Sequence, residues 1–275
     1  HCHRLARSRR LRSQPHRRLI KMSARLRVME AGSPVLPPVV LLHGFGMVSE
    51  CFSYIIRALS AQRFVLAFDL PGHGGSLNHP LAGSARKCAQ AVVDELETRA
   101  IGPVTLVGHS FGGAVASLVA IMRPDLVNRL VLLAPGGFGP EINAPLMRRH
   151  AAAVSRDDIR NCLAAMYASG EPTDELVEII WKMRQTAGQT EALQSLCNRF
   201  LDGDSQGVLP LETLATTGIQ TDLIWGGLDQ IVPVTDGMLA PAKFNKTIIA
   251  EAGHMLPDEA TAQVARIILK HPATA

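Results

Sequence analysis

Ser110, Asp229 and His254 are the three residues whose types and chain order could support acyl transfer. Ser110 is the centre of Gly108, His109, Ser110, Phe111 and Gly112, a G-x-S-x-G pattern within the stretch TLVGHSFGGAVASLVA. Such a pattern holds a serine on a sharp strand-to-helix turn, where a side chain two positions away would strike neighbouring backbone; Gly108 and Gly112 meet that need. A hydroxyl is a weak nucleophile at neutral pH, so it calls for a base and for an acid to orient that base. Downstream, WGGLDQIVP places Asp229, and EAGHMLP places His254, each in the loop after an apolar run. The other nine histidines lie in the basic start, ahead of the serine, in the helical stretch after it or at the extreme end, which leaves His254 as the base. His109, beside Ser110, is assigned to packing. Asp222 is the rival acid, and it reads as a turn or edge residue at a strand start.

A tetrahedral intermediate needs two preorganised donors, one from the residue after the nucleophile and one from the loop after an earlier strand. Phe111 supplies the first. HGFGM directly follows the apolar run PVVLL, which assigns the second to the backbone N–H of Phe45, with His43 bracing the loop. FDLPGHGGS has glycines and an acid but neither the Lys and Ser/Thr of a P-loop nor G-x-G-x-x-G spacing, so it reads as a turn anchored by Asp69.

These residues need a scaffold that brings strand ends together. RLIKM and ARLRVME suggest an opening hairpin. From there apolar runs alternate with helical patterns: PVVLLHG, SECFSYIIRALSA, FVLAFDL, ARKCAQAVVDELETRA, PVTLVG, a helix from Phe111 to Met122, then RLVLLAP. This rhythm predicts an α/β fold with a mostly parallel sheet and helices on both faces. Residues 141–204 carry only helical signatures, with Ser155 as an N-cap, and no strand is expected there. Strand runs resume with TDLIWG and KTIIAE before a closing helix, DEATAQVARIILK. The domains expected are a core of residues 18–140 and 205–275, a helical cap at 141–204, and a basic, disordered extension at 1–17. Met147, Met166, Tyr167, Trp181 and Met183 in the cap could line an apolar pocket, and Arg184 could hold a carboxylate.

The net charge of +4 misleads: residues 1–27 hold nine Arg and one Lys without an acid, while the rest carries 18 basic against 24 acidic side chains. A mildly acidic body excludes a nucleic-acid surface there. Five scattered cysteines without C-x-x-C spacing indicate neither a zinc site nor a disulfide framework, so no metal and no cofactor are expected. No apolar run reaches the roughly 18 residues of a membrane span, and no signal peptide opens the chain, which points to a cytoplasmic protein acting on a small acyl substrate.

LLHGFG, DLPGHGGS, GHSFGGA, WGGLDQIVP and GHM together resemble the α/β-hydrolase superfamily from about residue 18 to 270. The resemblance implies the α/β-hydrolase fold and a serine hydrolase of esters or thioesters. LLAPGGFGPEINAPLM is similar to the hydrolase-like C-terminal domain of the dihydrolipoyllysine acetyltransferase components of acetoin dehydrogenase systems, which implies a homo-oligomer or association with a dehydrogenase complex, and admits a noncatalytic module. The His-x-x-x-Asp-Gly signature of dihydrolipoyl acyltransferases is absent, and no lipoyl domain precedes these motifs. A looser similarity is to meta-cleavage product hydrolases, which cut carbon–carbon bonds; their fuller glycine pattern and the Trp after their histidine are replaced here by FGM and Met255.

Overall fold

The computed structural model describes residues 24–270, so the extension at 1–17 and the run RLIKM lie outside the described residues. From β1 (Val28–Ala31) the chain passes through β2 (Pro38–Leu42), α1 (Ser53–Leu59), β3 (Phe64–Phe68), α2 (Ala85–Arg99), β4 (Val104–His109), α3 (Phe111–Met122) and β5 (Val127–Leu133). Four helices follow: α4 (Ala144–Ala152), α5 (Arg156–Ala164), α6 (Asp174–Arg184) and α7 (Gln189–Phe200). Short strands β6 (Leu201–Asp202) and β7 (Ser205–Gln206) lead to α8 (Leu211–Thr216). The chain then closes through β8 (Gln220–Gly226), α9 (Val234–Leu239), β9 (Asn245–Ile249), α10 (Leu256–Glu259) and α11 (Thr261–Leu269).

Seven strands form one sheet in the order β1-β3-β2-β4-β5-β8-β9, parallel except for β1, which runs antiparallel to β3. β3 and β4 are buried along their whole length, as continuous apolar strands must be when helices cover both faces. In register, Leu42 lies beside Gly108 and Gly108 beside Leu132, so the loops after these neighbouring strands leave the same edge of the sheet. The loops after β8 and β9 leave that edge too, because these strands share its direction. A parallel sheet thereby collects residues from distant parts of the chain.

Three expectations need correction. The stretch read as purely helical ends in the β6–β7 hairpin, whose two-residue strands flank a turn with Gly203 at φ +60°; strands that short carry no periodicity. Asp222 lies inside β8, between β5 and β9, and its carboxylate receives Arg129 at 2.7 Å, so it is neither a turn nor an edge residue. The closing helix breaks at Ala260, between α10 and α11.

Glu95 fastens the segment before β1 to α2. Its buried carboxylate accepts from Arg25 Nη2 at 2.7 Å, Arg99 Nε at 2.6 Å and the Leu26 N–H at 3.1 Å. Burial alone would raise the carboxyl, but the hydrogen bonds from Arg25, Arg99 and Leu26 outweigh it and hold it below the usual glutamate value of 4.5. A depressed value adds stability that is present above the unfolded value and lost as pH falls through the folded one. Glu95→Gln is therefore expected to lower stability by about 2 kcal/mol at neutral pH, with the gap narrowing below about pH 4.5, as read by urea unfolding across that range.

Candidate active site

The turn between β4 and α3 carries Ser110 with φ 52° and ψ −117°, a left-handed conformation that a non-glycine residue holds only when its surroundings enforce it. Here the surroundings are backbone. A Cβ on Gly108 would lie 2.3 Å from the Gly112 carbonyl oxygen, and one on Gly112 would lie 2.2 Å from that of Leu42. Without side chains at these positions, the first turn of α3 drops onto the ends of β2 and β4. The Ser110 N–H donates to the Leu133 carbonyl at 2.9 Å, and its carbonyl accepts from Gly136 at 3.0 Å.

Ser110, His254 and Asp229 are brought together. Ser110 Oγ stands 2.9 Å from His254 Nε2, and His254 Nδ1 stands 2.8 Å from Asp229 Oδ2. The other Asp229 oxygen accepts from the N–H groups of Ile231 and Val232, at 2.8 and 3.1 Å, which fixes the carboxylate in its loop after β8. An acceptor at Nδ1 places the ring proton there, leaving the Nε2 lone pair for the serine hydroxyl.

The loop holding His254 is gripped on several sides. His109 Nε2 donates to the His254 carbonyl at 2.9 Å; burial pushes the His109 imidazole down to about 3, so it is a neutral donor. The His254 N–H donates to the Met166 carbonyl at 2.8 Å. Glu259 accepts from the N–H groups of Gly253 and Met255, both at 3.1 Å, and of Ala168 at 2.8 Å. His109 is therefore a prop for the imidazole loop, a more specific task than the packing expected of it.

Opposite the serine, the 43–47 loop is set by two neutral histidines. His43 Nε2 accepts from the Leu70 N–H at 2.9 Å and its Nδ1 donates to the Gly44 carbonyl at 2.8 Å, while His73 Nε2 accepts from the Gly46 N–H at 3.1 Å. Burial lowers both imidazoles. Asp69 anchors the adjoining turn, accepting from the Ser49 N–H and hydroxyl at 2.9 and 2.7 Å and from Gly75 at 2.9 Å. Phe45 and Phe111 border the same cavity as Ser110, and neither backbone N–H has an acceptor among the described residues.

That cavity measures about 370 Å³, at the lower end of the range for small-molecule sites. Met147 lines it; Met166, Trp181 and Arg184 do not. Met166 is buried and serves through its carbonyl beside His254. Trp181 lies under the Arg156 guanidinium, 3.4 Å from the ring centroid. Arg184 is buried, with its value lowered to about 10, and donates to the carbonyls of His150 and Ala151 at 3.0 and 3.2 Å, tying α6 to the end of α4. Tyr167 donates to Asp258, and Met183 is buried away from the cavity. Sequence reasoning missed Gln206, which lines the cavity, accepts from Gly137 at 3.1 Å and donates to the Glu141 carbonyl at 3.1 Å. It also missed Glu259. Both act through contacts distant in sequence that leave no local pattern.

Among the described residues no three His, Cys, Asp or Glu side chains gather as metal ligands, and no helix is long and apolar enough to cross a membrane. Residues 39–267 match the model of the alpha/beta hydrolase family. The chain is 34% identical over 241 residues to the dihydrolipoyllysine-residue acetyltransferase component of the acetoin cleaving system of Pseudomonas putida, covering 87% of this chain and 64% of that protein. The component of the same name from Cupriavidus necator is 30% identical over 234 residues, covering 85% and 63%. The chain thus spans less than two thirds of the length of these relatives. Among solved structures, a meta-cleavage product hydrolase of Pseudomonas fluorescens IP01 superposes with a TM-score of 0.77 at 22% identity, over 89% of this chain and 93% of that one, a likeness of fold alone.

The backbone clash at Gly112 makes a direct test of the turn. Gly112→Ala is expected to cost about 3 kcal/mol or more, because neither the Leu42 carbonyl nor the helix can yield without moving the sheet. Urea denaturation of the purified variant beside the parent chain measures it.

Proposed function

The chain belongs to the alpha/beta hydrolase family, and on that premise we propose that it is a serine hydrolase of small to medium esters or thioesters. The observation that carries this reading is the unbroken hydrogen-bonded run from Ser110 Oγ through both nitrogens of His254 to Asp229, at 2.9 and 2.8 Å. As the Ser110 oxygen attacks the acyl carbonyl, its proton passes to His254 Nε2, and Asp229 steadies the imidazolium that forms. The N–H groups of Phe45 and Phe111 receive the developing oxyanion. Collapse of the intermediate breaks the bond to the alcohol or thiol, which leaves with the proton from His254. Water, deprotonated by the same imidazole, then attacks the acyl-enzyme and releases a carboxylic acid and the free serine. These steps need no metal and no cofactor.

We take residues 141–204 as a cap over a core of 18–140 and 205–275, since Met147 of α4 and Phe200 of α7 line the cavity that reaches Ser110. A cytoplasmic setting agrees with Cys51, Cys88, Cys162 and Cys197, all free and buried. Carbon–carbon bond hydrolysis has less support: Arg184, the candidate holder of a substrate carboxylate, is occupied by two carbonyls outside the cavity. The names of the acetoin-system relatives favour a second reading, a noncatalytic module that associates with a dehydrogenase complex.

One experiment separates the two. The parent chain is expected to be labelled at Ser110 by a fluorophosphonate and to hydrolyse p-nitrophenyl esters or acyl thioesters, with Ser110→Ala at least about 10⁴-fold slower. Equal turnover by both would remove Ser110 as nucleophile. A folded parent chain that takes no label would favour the module.

A further inference from the structure

Two arginines at the cavity take no part in the steps above. Arg86, in the first turn of α2, and Arg199, in the last turn of α7, both line the space that holds Ser110 and both are exposed. Neither has a hydrogen-bond or ion-pair partner among the described residues. By contrast Arg148, Arg156 and Arg160 each meet a carboxylate. One comes from α2, which packs against α3, and the other from the end of α7 in the helical segment after β5. Arg199 reaches across to the loop that starts α2: its Nε would lie 3.6 Å from a Cβ on Gly83, three residues before Arg86. Two like charges are thus brought to one rim with no counter-ion between them. Asp202 is the one acid lining the cavity, and it pairs with neither, so the rim keeps a net positive charge. The remaining wall is mostly apolar, with Ile142, Met147, Leu209 and Val232.

We propose that Arg86 and Arg199 form an anion-binding rim, and that the substrate carries a carboxylate or phosphate that docks there while its acyl carbonyl lies at Ser110. Guanidinium forks suit both groups, since each offers paired oxygens to parallel N–H donors. An apolar cavity with two unpaired cations at its rim selects a substrate that is greasy at the scissile end and anionic at the other. The anion can sit on the acyl half, as in a dicarboxylic monoester, or on the leaving group, as in a coenzyme A thioester. This inference rests on the serine-hydrolase reading.

Two substrate pairs distinguish the sources: monoethyl succinate against ethyl pentanoate, and butyryl-coenzyme A against S-butyryl-N-acetylcysteamine. In one pair the parent chain is expected to favour the anionic member in kcat/KM by about tenfold or more, and Arg86→Gln/Arg199→Gln to reduce that preference about fivefold or more, chiefly through KM. Adding about 0.5 M NaCl should shrink it likewise. An identical preference in parent and double variant, in both pairs, overturns the proposal. Calorimetric binding of butyryl-coenzyme A and monoethyl succinate to the Ser110→Ala chain keeps this separate from the chemistry. Loss of binding on adding the two arginine substitutions, with the thermal midpoint unchanged, supports the rim even if Ser110 proves inert; equal binding, or none in either chain, overturns it.

Discussion

The contact on which the site depends is the approach of backbone to backbone where α3 meets the ends of β2 and β4. Gly112 sits so close to the carbonyls of Leu42 and His43 that nothing larger than hydrogen fits, and Gly108 closes the other side against the carbonyl of Gly112 itself. This contact forces Ser110 into its left-handed conformation, and the same contact sets the distance between the serine and the 43–47 loop. Ser110 and the 43–47 loop are therefore positioned by one piece of packing, and the sheet register that aligns Leu42 with Gly108 is what holds it. For the proposed hydrolase reading, rigidity of this kind would let the Phe45 and Phe111 N–H groups face a developing charge without reorganising first.

Around that contact, neutral histidines act as struts. His43, His73 and His109 are all buried, and burial disfavours their charged forms, so each carries one donor and one acceptor nitrogen and can bridge two backbone groups. His254 differs in that both its ring nitrogens face side chains. Four imidazoles thus occur within one site, and their hydrogen-bond partners separate the three that hold loops from the one set between a serine hydroxyl and a carboxylate.

The meeting of Ser110, Asp229 and His254 was legible because each lies next to a local signal: glycines at fixed offsets, or a loop following an apolar strand. Parallel strands then carry these loops to one edge whatever their separation along the chain. The helical segment 141–204 is less legible. Apolar spacing on a helix reports that a face is buried and says nothing of what covers it, so Met147 reached the cavity while Met166, Trp181 and Arg184 were used for packing, stacking and tying helices. Glu259, Gln206, Arg86 and Arg199 lay beyond reach, since a polar side chain gives no hint in one sequence of which distant backbone or cavity it will face. The β6–β7 hairpin was hidden by its brevity, and Asp222 by its acidic type, which suits turns until Arg129 makes a buried strand tolerable.

The Met166 carbonyl accepts from the His254 N–H and the Ala168 N–H donates to Glu259 of α10, both from the connection between α5 and α6. Further along the same segment Gln189, which opens α7, donates to the Gly72 carbonyl and accepts from the Gly74 N–H, and Gln206 in β7 is tied to Gly137 and Glu141, so the segment is fastened to the core at several places. A shift of this helical segment as a body would therefore strain the loop that carries His254, which makes the placement of the segment over the sheet and the placement of the imidazole a single geometric variable.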